Sequence, residues 1–95
     1  MKTTWKFPFE IMDHIEISMP EGAEFLVVAE QRGQGACMWC LVDPRKPQKI
    51  HHFQLRGTGH PFDGTEGRFL GTFQLLGGGL VFHLFTDKTH NEEPS

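Results

Sequence analysis

Glu24-Phe25-Leu26-Val27-Val28-Ala29-Glu30, then Arg32-Gly33-Gln34-Gly35, then Ala36-Cys37-Met38-Trp39-Cys40-Leu41-Val42 is the stretch that decides the fold. Two short apolar, β-prone runs flank a turn carrying two glycines, which is the pattern of a β-hairpin. Apolar residues here do not recur at the three-and-four spacing of a helix, and no other part of the chain shows that spacing over two turns. Outward from the hairpin, further strands are expected at 4–7, 13–19, 49–56, 69–75 and 80–85. Pro8 limits the first strand or places it at an edge, since proline gives no ladder donor. Pro20-Glu21-Gly22, Asp43-Pro44-Arg45-Lys46-Pro47 and Gly77-Gly78-Gly79 punctuate the runs as turns. Seven short strands with close turns predict an all-β fold, a compact antiparallel β-sandwich or a small barrel.

Ninety-five residues predict one domain, 1–95, with a polar tail expected to fray over 88–95. The net charge of −3 argues against a partner such as long DNA or RNA, whose binding depends on many phosphate contacts, though not against a small anion. Positive charge is gathered in the middle of the chain, at Arg32, Arg45, Lys46, Lys49 and Arg56. There is no signal-peptide pattern at the start and no apolar run of membrane-spanning length, so a reducing cytoplasm is the expected compartment, without membrane attachment. A modest core makes oligomerisation a natural source of further burial.

Leu55-Arg56-Gly57-Thr58-Gly59-His60-Pro61-Phe62 is the polar glycine loop of the chain. Glycines let successive backbone N–H groups point into one concavity, and an arginine at its edge suits a phosphate. Arg56, Gly57, Thr58, Gly59 and His60 are therefore the candidate ligand-binding residues. Trp39 and Trp5 are candidates for stacking on a base. The competing reading is core packing for Trp39, a subunit contact for Trp5, and plain turn geometry for the loop.

Catalysis finds little support in the residues. The only serines are Ser18 and Ser95, neither in a nucleophile elbow, and Gly57-Thr58-Gly59 lacks the lysine of a phosphate-binding P-loop. Cys37 and Cys40 have metal-ligand spacing, but residues three apart in a strand face opposite ways, so buried structural thiols are expected. A three-histidine metal site would need His51 or His52 to face one cavity with His60 and His83, and the expectation instead is single histidines hydrogen-bonded within the sheets. The expectation is no catalytic residue, no metal and no cofactor.

Five pieces, Lys2 to Phe7, Met19 to Ala23, Met38 to Pro44, Gly57 to Pro61, and Leu70 to Phe73 through Gly79 to Phe85, run in order along nearly the whole chain. Together they resemble a widespread family of short phage and prophage proteins of undetermined function. That family is associated with phage immune-evasion sponges of the anti-CBASS kind. The resemblance implies a symmetric oligomer, a homotetramer, in the host bacterial cytoplasm. It would bind a cyclic nucleotide signal, such as a cyclic dinucleotide, without cleaving it. The rival expectations are a small phage structural or protein-interaction module and a cupin-type metal enzyme.

Overall fold

The computed structural model describes residues 1–90. Seven strands form: β1 (Thr3–Pro8), β2 (His14–Pro20), β3 (Glu24–Gln31), β4 (Gly35–Val42), β5 (Gln48–Gly57), β6 (Glu66–Leu75) and β7 (Leu80–Asp87). A short 3-10 turn, Leu76–Gly78, joins the last two. The strands divide into two antiparallel sheets, ordered β1-β4-β3 and β2-β5-β7-β6. The fold is thus an all-β sandwich, and of the two architectures left open by the sequence the closed barrel is not formed.

The Glu24–Val42 hairpin is β3–β4, with β4 central in its sheet. Alternation along β4 turns Met38, Cys40 and Val42 inward, each at most 1% exposed, and leaves Trp39 and Leu41 half-buried on the outer face. A register shift between Phe25 and Val27 puts an extra residue in β3. Leu26 and Val27 consequently both stand half-exposed, while Phe25 and Val28 keep contact with the core.

The four-stranded sheet supplies Ile15, Met19, Phe53, Leu55, Phe73 and Leu84 to the same core. At Gly71 the two sheets approach closely: a Cβ there would sit 3.1 Å from Val28 Cγ1. The tail expected to fray is held as far as His90, since the Lys88 amide donates to Thr65 O and the Thr89 and His90 amides donate to Asp87 Oδ1. The remainder of that expectation, 91–95, lies outside the described residues.

Leu84 is fully buried on β7, between strands β5 and β6. Replacing it by alanine should cost about 2–5 kcal/mol, the range for deleting a buried aliphatic side chain. Urea unfolding of L84A against wild type measures this.

Candidate binding face and inter-sheet cleft

The outer face of the four-stranded sheet is as buried as its inner face around β5. Inward lie Phe53 and Leu55, and outward lie His52, Gln54 and Arg56, with Gln54 and Arg56 each 6% exposed. Residues 58–66 fold over this outer face and cover it.

Arg56 is spent inside that cover. Its Nε donates to Glu66 Oε2 at 2.8 Å, one terminal nitrogen to the carbonyls of Asp13 and Leu55 at 3.1 and 2.9 Å, and the other to Asp63 Oδ1 and Thr65 Oγ1, both at 3.2 Å. Guanidinium has five N–H donors, and all five have partners. The edge-of-loop phosphate fork expected of Arg56 is therefore replaced by a buried brace between β5 and the 63–66 turn.

The glycine loop is partly closed as well. The Thr58 amide donates to Val81 O and the His60 amide to Gly57 O. The His60 ring lies over Gly57, where a Cβ would come 2.9 Å from it, so glycine at 57 makes room for the histidine. Thr58 Oγ1 meets His83 Nε2 at 2.8 Å, and His83 Nδ1 meets Thr72 Oγ1 at 2.9 Å.

The tryptophans lie elsewhere. Trp39 is on the outer face of the three-stranded sheet, the far side of the sandwich from Arg56, and Trp5 is 37% exposed on edge strand β1. Arg56, Gly57, Thr58, Gly59 and His60 share one loop end, but neither Trp39 nor Trp5 joins them. The histidine triple built from His60 and His83 does not assemble among the described residues.

A different histidine group does. His14, His52 and His90 each offer a ring nitrogen within 4.8 Å of the others. They surround Asp87, which is fully buried and bonded to Gln54 Nε2 at 2.7 Å and to the Thr89 hydroxyl at 2.6 Å. Burial alone would raise the Asp87 carboxyl, but donation from Thr89, Gln54 and His90 outweighs it and holds the carboxyl well below the usual range. Burial, and then the neighbouring His90, keep the His52 imidazole below its ordinary pKa. The sequence carried a weak signal for this group: His14 and Glu16 share one face of β2, and His52 and Gln54 share one face of β5. Only the antiparallel register, with Glu16 opposite His52, brings the two faces together.

A cavity of about 910 Å³ opens where the sheets part near the ends of β2, β5 and β6, and it extends to His52, Asp87 and His90 of the outer face. Phe25, Phe53 and Leu70 form its apolar walls, and Lys49, Arg68 and Lys88 stand at its rim. Among the described residues these three cations make no ion pair, whereas Glu24 at the rim is paired with Lys2 at 3.3 Å. Cys40 also lines the cavity, but burial pushes its thiol up to about 11, so at neutral pH it is protonated and a poor nucleophile.

Two outcomes follow from the Arg56 brace. Arg56→Met should lower the melting temperature by about 10 °C or more, because it strands the buried Glu66 carboxylate. The brace also sets an acid limit. Burial raises Glu66, but amide donation from Asp63 and Gly64 and the Arg56 contact hold it below its ordinary value, and the Thr65 hydroxyl and amide lower Asp63. Carboxyls depressed on folding contribute stability that is complete above their unfolded values near pH 4 and is lost as pH falls through the folded ones. Melting temperature against pH should therefore fall on acidification below about pH 4.5, less steeply in Glu66→Gln.

Among curated proteins and solved structures, none matches this chain significantly. A family model described as a domain of unknown function, DUF7352, matches residues 1–95, and the chain belongs to that family.

Proposed function

We propose that this protein is a binding module that captures and sequesters a small phosphorylated metabolite in the inter-sheet cleft without cleaving it. The observation that carries the reading is the pairing of apolar walls at Phe25, Phe53 and Leu70 with three cations, Lys49, Arg68 and Lys88, that make no ion pair among the described residues. A flat aromatic base suits the walls and phosphates suit the rim, and the volume lies within the range of small-molecule sites. With the sequence resemblance, the ligand class proposed is a cyclic nucleotide signal, and the biological role is that of an immune-evasion sponge in the host bacterial cytoplasm. No helix among the described residues is long and apolar enough to cross a membrane. The proposed contacts to phosphate thus move from the Arg56 loop to the cleft rim.

The homotetramer belongs to the same proposal. Leu26 and Val27, each half-exposed beside Trp39, make an apolar strip on the outer face of the three-stranded sheet that suits a subunit contact. The same strip is what a protein-interaction module would use, which keeps that second reading in play.

Calorimetry with cyclic dinucleotides and cyclised ADP-ribose tests the ligand. Saturable binding is expected with at least one of them. Lys49→Ala and Arg68→Ala, both at exposed positions, should each weaken it by about tenfold or more. Absence of heat with every member at micromolar protein would overturn the reading.

A further inference from the structure

We propose that His14, His52 and His90, with Glu16 at the fourth position, form a binding site for a divalent transition metal, zinc foremost. This goes beyond the nucleotide reading and does not rest on it.

The three histidines come from separate parts of the chain: β2, β5 and the turn after β7. His14 Nε2 lies 3.2 Å from His52 Nδ1 and 3.4 Å from Glu16 Oε2, and Glu16 Oε2 lies 3.9 Å from His52 Nδ1. Ligands at the Zn–N distance of about 2.0–2.1 Å in a tetrahedron are about 3.3–3.4 Å apart, so these atoms already stand near the edges of such a figure. The His90 ring stacks on His52, with centroids 4.4 Å apart and planes 19° apart, and a ring nitrogen of His90 lies within 4.8 Å of the other two. Glu16 reaches His14 and His52 but stands outside the group that includes His90, so His90 and the Glu16 carboxylate must draw together before all four can share one ion.

Asp87 supplies the outer support that histidine ligands ordinarily have. Its Oδ2 lies 3.2 Å from Nδ1 of both His14 and His90. The His14 Nδ1 also lies 3.0 Å from Gln54 Nε2, so two tautomers compete. A carboxylate draws the N–H more strongly than a neutral amide offers one, which puts the proton on Nδ1 facing Asp87. The Nε2 lone pair of His14 then points at His52 and Glu16, where a metal would take it. Three imidazoles with one carboxylate suit zinc, with cobalt(II) as its spectroscopic substitute. Bound there, the ion would fasten the end of β7 to the edge strand β2, a staple of the kind small domains use.

The test uses the full chain, tag-free and stripped with chelator, titrated with zinc chloride or cobalt(II) chloride alone. One equivalent should bind, cobalt should develop the intense visible bands of a tetrahedral site, and saturating zinc should raise the melting temperature by about 10 °C. His52→Gln and His90→Gln, neither at a fully buried position, should abolish the tetrahedral spectrum. Glu16→Gln, at an exposed side chain, should weaken affinity but leave three nitrogen ligands. Asp87→Asn should cost about 10–100-fold in affinity if it folds, and circular dichroism decides that first. No saturable binding by the wild type, or binding undiminished in the folded His52→Gln/His90→Gln variant, would overturn the proposal.

Discussion

The guanidinium of Arg56 sits on the outside of a sheet and is nonetheless only 6% exposed. A charge withdrawn from water is tolerated only when its donors are met, and here Glu66, Asp63, Thr65 and two carbonyls meet them. The requirement shapes everything around it. Residues 58–66 must close over the sheet to bring the partners, and Asp63, Gly64 and Glu66 are bonded among themselves to hold the turn in that position. Strand β5 becomes doubly buried, apolar toward the core and polar toward the cover.

That polar layer continues along the sheet without a break in character. Gln54, beside Arg56 in β5, donates to Asp87, and Asp87 in turn gathers Thr89, His90 and His14. One sheet face therefore carries two centres, a cation held by carboxylates and a carboxylate held by hydroxyl, amide and imidazole groups. No buried polar side-chain atom among the described residues lacks a hydrogen-bond partner, which is what allows such a layer in a domain of this size.

The two faces of the sandwich thus have different chemical uses. The cation that looked most available in the sequence is the one the fold consumes, and Lys49, Arg68 and Lys88, which make no ion pair among the described residues, lie where the sheets part. Apolar walls and unpaired charge meet at that opening, so the binding proposal rests there. Cys40 faces the same opening as a protonated thiol, and Cys37 is fully buried, in keeping with the structural role expected from their strand spacing.

All seven strands, their approximate limits and the all-β class were legible in the sequence because each depends on local alternation and on glycine and proline at the turns, whereas the choice of sandwich over barrel was not. The thiols were legible for the same reason, since side-chain direction along a strand follows from position alone. Strand order was not legible: nothing in residues 48–57 states that β5 lies between β2 and β7. The fate of Arg56 depends on Glu66 ten residues on and on Asp13 far earlier, and the histidine group depends on a register that pairs His14 with Gln54 and Glu16 with His52. By itself the sequence determined the strands, the turns and which residues alternate. Which polar groups are consumed and which are left for a ligand was decided only by tertiary structure, because hydrogen bonds and ion pairs between distant segments exist only once the sheets have assembled.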